Sequence, residues 1–144
     1  MTLAPPTAPV FPGLVPELLV TDVAVSLDFW VGLCGFGILY DRPAEGFAYL
    51  QLGSTHLMLD QIGLGRDWVS GPLERPLGRG VSLQITVPAI EPLIERMSAA
   101  GQSLFLAPED MWYSTGDSEA GLRQFLVQDP DGYLVRFAAP LPPR

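Results

Sequence analysis

The alternation of apolar and polar positions divides the first half of the chain into short strands and one helix. Apolar runs of strand length occupy residues 17–21, 36–41, 47–52 and 56–61. After the first run, Asp22 stands where a helix N-cap is expected, and apolar residues recur at three- and four-residue spacing from Val23 to Val31. Gly32 and Gly35 then supply stop signals. The pattern predicts the order βαβββ.

The second half repeats this order. Val81–Val87 alternates as a half-buried strand does, and Pro88 leads into a helical segment that ends at Gly101. Three further strands are predicted at residues 104–107, 122–128 and 133–138. A shift of 67 residues aligns Val20 with Val87 and Trp30 with Met97, which is a weak internal repeat. The sequence therefore predicts an α+β fold of two βαβββ repeats, with mixed sheets cupped around a cleft and helices packed outside.

This reading also divides the chain into segments. We expect a Pro-rich N-terminal arm at residues 1–13, a first repeat at about 14–62, a linker at 63–79 and a second repeat at about 80–139. The arm has neither the basic start nor the apolar run of a secretory signal, and no stretch reaches the length of a membrane span. We expect a cytoplasmic protein.

A tight turn precedes the last predicted strand. In Asp129-Pro130-Asp131-Gly132 the proline presets φ, the glycine accepts positive φ, and the aspartates can bond to nearby backbone groups. The flanking segments have strand character, so a hairpin is predicted here.

Charge excludes some partners. The formal net charge is −8 and none of the 8 basic residues is lysine, so the chain lacks the cations that neutralise phosphates. Nucleic acid and anionic membranes are therefore not expected partners. The lone Cys34 excludes an internal disulfide, and a packing role suits it better than a nucleophilic one.

Several segments, in this order and spacing, resemble the glyoxalase, bleomycin-resistance and extradiol-dioxygenase superfamily, also called the vicinal oxygen chelate fold. They are Val20–Asp22, Ser26–Trp30, Gly35–Phe36, Gly80–Val87 and Asp129–Leu134. Phe47–Leu50, Met58–Leu59, Gly78–Gly80 and Trp112–Tyr113 are similar to bleomycin-resistance-like proteins in particular.

Metal-using members of that superfamily take ligands from three strand positions, which the resemblance places at Val15, Ser82 and Arg136. An isopropyl group, a hydroxyl and a permanent cation do not form a transition-metal site. We therefore expect no metal and no cofactor, with Arg136 positioned to bind an acidic group instead. A rearranged metal site built on Glu17, His56 and one further residue is the alternative.

The expected ligand site combines aromatic and polar side chains on alternate strand positions. Met58 shares a strand face with His56, which is either a satisfied structural residue or a ligand donor. Phe47 and Tyr49 share a face of the preceding strand, residues 47–52. Trp112 and Tyr113 are expected to start a polar flap over the opening, at residues 112–121. The remaining candidates are Ser82, Gln84 and Arg136.

Three functions remain open at this point. The first is a metal-independent protein of the bleomycin-resistance type that sequesters a bulky, partly aromatic, cationic small molecule. The second is a metal-dependent lyase, isomerase or dioxygenase with a rearranged ligand set. The third is a structural or regulatory module with an unused cleft. The resemblance also implies a homodimer that builds two clefts from both chains.

Overall fold

A computed structural model describes residues 10–144, so most of the predicted N-terminal arm lies outside the described residues. The helices are Val23–Leu27 (α1) and Glu91–Ala99 (α2). The strands are Glu17–Val20 (β1), Gly37–Arg42 (β2), Phe47–Leu52 (β3), Thr55–Gln61 (β4), Ser82–Thr86 (β5), Leu106–Ser114 (β6), Glu119–Gln128 (β7) and Leu134–Pro140 (β8). No helix in this part of the chain is long and apolar enough to cross a lipid bilayer.

The strands form two four-stranded mixed sheets with the same topology. The first has the order β1-β4-β3-β2 and the second the order β5-β8-β7-β6. In each sheet the opening strand runs parallel to its neighbour, and the other two pairs are antiparallel. The predicted α+β fold of two βαβββ repeats is confirmed.

Helix α1 begins where the sequence predicts. The Asp22 carboxylate accepts a hydrogen bond from the Ala24 amide at 3.0 Å, which satisfies one of the free donors of the first turn. After Leu27 the chain continues as a π-helical turn, Asp28–Leu33, closed by the Cys34 amide donating to the Phe29 carbonyl at 2.9 Å. Phe29 and Trp30 of this turn both lie in the core.

One face of each sheet packs into a shared apolar core. Period-two alternation sends Leu57 and Leu59 of β4 inward, together with Phe125 and Val127 of β7. The helices cover these faces, and Met97 of α2 is fully buried. Among residues 10–144, no α-helix packs on the opposite face of either sheet, so a binding site has room there.

The predicted Asp-Pro-Asp-Gly turn joins the repeats. Asp129 accepts hydrogen bonds from two amides of its own turn and from the Trp30 indole at 3.3 Å. Burial raises the pKa of the Asp129 carboxyl. Asp131 is also buried and accepts from the Thr21 hydroxyl at 2.7 Å and from Arg75 of the linker at 2.8 Å. The turn therefore ties the second sheet to the first repeat and to the linker.

The sequence underestimates the β6–β7 hairpin. Strand β6 runs to Ser114 rather than ending at Ala107, and β7 starts at Glu119, so the predicted loop across residues 108–121 is wrong. This stretch contains a proline and several acidic residues, which are unfavourable in strands. A register shift between Leu106 and Glu109 accommodates the proline, and Arg123 of β7 pairs with Asp110 across the strands.

Candidate functional site

An aromatic row occupies the helix-free face of the first sheet, which we call the first open face. Tyr40 stacks on Tyr49 with ring centroids 5.0 Å apart and an interplanar angle of 14°, and lies 6.0 Å from Phe47. A bulge in β2 creates this arrangement, because one extra residue places Tyr40 rather than Leu39 opposite Tyr49. The predicted Phe47 and Tyr49 do share one face.

Two carboxyl groups lie beside this row. Glu17 of β1 lies near Asp60 of β4, which is only 7% exposed, and both residues line one groove. Burial raises the pKa of Glu17, the neighbouring Asp60 carboxyl raises it further, and Arg42 lowers it.

Arg42 and the linker complete a groove of about 550 Å³ over this face. The Arg42 guanidinium lies 3.8 Å from the centroid of the Phe47 ring and forms an ion pair with Glu45. On the other side, Leu64, Gly65, Arg66 and Trp68 of the linker line the groove. The Trp68 side chain is 78% exposed at the rim. The groove thus has aromatic walls, an acidic base and two guanidinium groups, those of Arg42 and Arg66.

His56 has a partner within the sheet. Its Nδ1 atom lies 2.6 Å from the Tyr49 hydroxyl, and the two rings meet edge to face at 5.3 Å. His56 is buried and fixes the position of Tyr49. It also lines a second cavity of about 400 Å³ between the repeats, together with Ser82 and Gln84 of β5. The predicted Met58 lines the first groove.

The helix-free face of the second sheet, the second open face, is polar. Gln84 and Arg136 lie opposite each other on β5 and β8 and are hydrogen-bonded. The Gln124 amide donates to Glu109 at 3.1 Å and to the Tyr113 hydroxyl at 2.6 Å. Arg136 is half-buried, whereas Gln84 is exposed. This face offers donors and acceptors in place of aromatic rings.

The structure separates the two aromatic residues predicted to start the flap. Tyr113 lies on the second open face beside Gln124, but Trp112 points to the opposite side of β6. There it packs over Gly121, where a β-carbon would come within 2.7 Å of the indole, and under the Arg144 guanidinium at 4.3 Å. Both residues belong to a strand rather than to a flap, and the turn itself is short, with the Thr115 amide bonded to the Ser118 carbonyl.

The residues at the superfamily's ligand positions do not fit a metal. Val15 has no donor atom, Ser82 is a poor ligand, and Arg136 is bonded to Gln84. Between residues 10 and 144, no three His, Cys, Asp or Glu side chains come together as a metal site would need. The alternative ligand set is also divided, because Glu17 pairs with Asp60 whereas His56 pairs with Tyr49.

Two βαβββ repeats with open sheet faces define a vicinal-oxygen-chelate protein. The chain belongs to the glyoxalase, bleomycin resistance protein and dioxygenase superfamily, whose family model matches residues 14–137. No protein of curated function matches the sequence.

Solved structures include relatives of this chain. A glyoxalase, bleomycin resistance protein and dioxygenase superfamily member from Vibrio splendidus 12B01 is 40% identical, over 87% of this chain and 95% of that one, with a TM-score of 0.41. TioX from Micromonospora sp. ML1 is 27% identical over 89% of this chain and 98% of that one, with a TM-score of 0.67. Virulence protein STM3117 from Salmonella typhimurium, at 18% identity, 93% and 100% coverage and a TM-score of 0.68, shares the fold.

Proposed function

We propose that the protein binds and sequesters a small molecule without a metal, as the bleomycin-resistance branch of its superfamily does. The observation that carries this proposal is the groove on the first open face, where Tyr40 and Phe47 stand beside the Glu17–Asp60 pair. Aromatic walls with a few polar groups are typical of ligand pockets. The groove contains no nucleophile with an activating base, so binding is the function that its chemistry supports best.

The groove chemistry selects a flat, partly aromatic cation. The partly exposed Tyr40 ring is available for stacking, and the exposed Trp68 stands at the rim. An amine or amidinium group would be attracted by the neighbouring carboxyl groups of Glu17 and Asp60, which both line the groove. The net charge of −8 adds a field that attracts such a ligand.

The second open face supplies the polar half of the proposed site. Arg136, Gln84 and Tyr113 present hydrogen-bonding groups at a surface that no helix covers. We propose a homodimer in which this face of one copy and the first open face of the other enclose the ligand. Light scattering coupled to size exclusion tests the dimer, and a monomer at micromolar concentration would contradict it.

Titration with proflavine, a planar aromatic cation, tests the function. We expect saturable quenching of tryptophan fluorescence and one site per chain by calorimetry, with proflavine recovered unchanged by mass spectrometry. Trp68→Phe should remove most of the quenching because Trp68 lines the groove. Trp112→Phe is the matched control, since that indole lies on the other side of the second sheet.

Two results would contradict this function. One is the absence of binding for proflavine, metal-free bleomycin and other polycyclic amines. The other is a stoichiometric divalent metal in protein purified without an affinity tag, combined with turnover that depends on that metal.

A further inference from the structure

We infer that the ligand site extends past the groove to a second ring position over Tyr49, which Phe11 of the chain itself occupies in the free protein. This inference rests on the proposed function and deepens it, because it names the ligand class as molecules with two linked aromatic units. Phe11 meets Tyr49 edge to face, with ring centroids 5.2 Å apart.

Tyr49 lies between a residue of the groove on the first open face and a residue of the second cavity, which is located between the repeats. In the register of β3 and β4, Tyr49 lies opposite Met58, which lines the groove. The next pair on the same face is Gln51 and His56, and His56 lines the second cavity. A ring placed over Tyr49 would therefore lie next to strand positions that contribute Met58 to the groove and His56 to the second cavity.

Among the described residues, Phe11 is the aromatic neighbour of Tyr49 that comes from outside the sheet. Tyr49 is only 2% exposed, although it lies on a face without helices. Its other aromatic neighbours, Tyr40 and His56, are on adjacent strands of the same sheet and flank it. Phe11 alone comes from the N-terminal arm, so it stands where a ligand ring would approach.

The arm is held at its base but loosely at its tip. At the base, the Pro16 carbonyl accepts a hydrogen bond from the Met58 amide at 2.8 Å. Towards the tip, Phe11 is 51% exposed and its neighbour Val10 is 87% exposed. About half of Phe11 is already exposed, so a ligand ring that covers Tyr49 with an equal contact area can replace it.

A ligand ring in place of Phe11 would stand over Tyr49, next to the strand position of Met58, which lines the groove of about 550 Å³. A single fused ring system fills the groove alone and does not need this change. A ligand with a second aromatic unit on a short linker reaches the position over Tyr49 and must compete with Phe11. The arm therefore lowers the affinity of the protein for extended ligands.

Hydroxyl-radical footprinting with mass spectrometry tests the cover without any ligand. In Phe11→Ala we expect oxidation of Tyr49 to rise several-fold above the wild-type rate, while oxidation of the buried Trp30 reports an intact fold. Val10→Ala is the matched control, because Val10 is the adjacent apolar arm residue and is almost fully exposed. Unchanged protection of Tyr49 in Phe11→Ala would overturn the inference.

Calorimetric titration tests the second ring position. Hoechst 33258, which has several linked aromatic units, should bind Phe11→Ala about fivefold more tightly than the wild type. Proflavine should bind both within a factor of two, and Val10→Ala should behave as wild type with both probes. Equal affinity of Hoechst 33258 for wild type and Phe11→Ala would overturn the inference while leaving the proposed function intact.

Failure of the proposed function can be distinguished from failure of the second ring position. If neither probe binds any variant, the proposed function fails and the footprint alone decides whether Phe11 covers Tyr49. If proflavine binds but Phe11→Ala changes neither the footprint nor the Hoechst 33258 affinity, only the second ring position is wrong.

Discussion

The two open faces share one topology and differ in chemistry. On the first, Tyr49 is buried, with Tyr40 stacked beside it on the neighbouring strand and Phe11 over it. On the second, Gln84 is exposed, and the half-buried Arg136 is bonded to it. The repeat therefore supplies a duplicated frame, and each copy of the frame carries a different half of a recognition site.

This difference shows which strand positions the core constrains and which it does not. The inward positions of both sheets are apolar in the same alternation, because both face one core. The outward positions are not constrained by that core, so one sheet carries rings and the other carries amides and a guanidinium. Substitutions on the two faces should accordingly have unequal effects on stability and on binding.

The largest expected effect is on stability, from Tyr49→Ala. Loss of a fully buried ring should lower the free energy of unfolding by about 3 to 4 kcal/mol. Gln124→Ala, on the corresponding strand of the second sheet, should cost only about 1 kcal/mol, because its amide partners Glu109 and Tyr113 remain partly hydrated. Urea denaturation measures both, and equal costs would remove the distinction between the faces.

The next effect is on ligand affinity, from Asp60→Asn. Replacing one carboxyl of the Glu17–Asp60 pair should weaken proflavine binding about tenfold, or about 1.4 kcal/mol. The uncharged, similarly shaped acridone should change less than about twofold. Asp117→Asn, in the exposed β6–β7 turn, controls for net charge. An equal loss with acridone would mean that the groove changed shape.

Arg136→Glu tests the second open face. We expect metal-free bleomycin to bind about fivefold more weakly, or about 1 kcal/mol, because Arg136 presents the only guanidinium beside Gln84 among the described residues. Arg144→Glu makes the same charge change on the other side of this sheet, over Trp112, and should have little effect. Recovery of binding or gain of turnover when Zn²⁺ or Mn²⁺ is added to Arg136→Glu would contradict the metal-free interpretation.

The smallest effect is the pH dependence that Glu17 confers. Its pKa is higher in the folded than in the unfolded chain, so folding favours the protonated carboxyl. The ionised form therefore costs stability at neutral pH, and this cost disappears as the pH falls through the folded pKa towards the unfolded one. The melting temperature of wild type minus that of Glu17→Gln should become more positive on acidification. A difference that is constant or falls would contradict the raised pKa.

Local patterns in the sequence predicted much of the fold. Alternation located β3 as Phe47–Leu52 with its observed bounds, and Asp22 marked the start of α1. The turn residues at 129–132 predicted the last hairpin, and Gly132 has the expected positive φ of 99°. These features depend on contacts within a few residues, which a single sequence contains.

The candidate site was predicted only in part. Period-two alternation placed Phe47 and Tyr49 on one face, but it missed Tyr40, because a bulge that depends on pairing with β3 changes the side to which β2 side chains point. The β6 extension was missed for a related reason: cross-strand pairs such as Arg123 with Asp110 compensate for residues with poor strand propensity.

The sequence by itself determined the order and approximate positions of the two βαβββ repeats, and the resemblance placed Val15, Ser82 and Arg136 at the superfamily's ligand positions. The tertiary structure alone decided that Glu17 meets Asp60, that Trp112 and Tyr113 point to opposite sides, and that Phe11 covers Tyr49. Strand periodicity and turn chemistry are local, so they can be read from order along the chain. Glu17 and Asp60 are 43 positions apart, and Phe11 and Tyr49 are 38 positions apart. Their contacts depend on sheet register and on the path of the arm, which only the folded chain fixes.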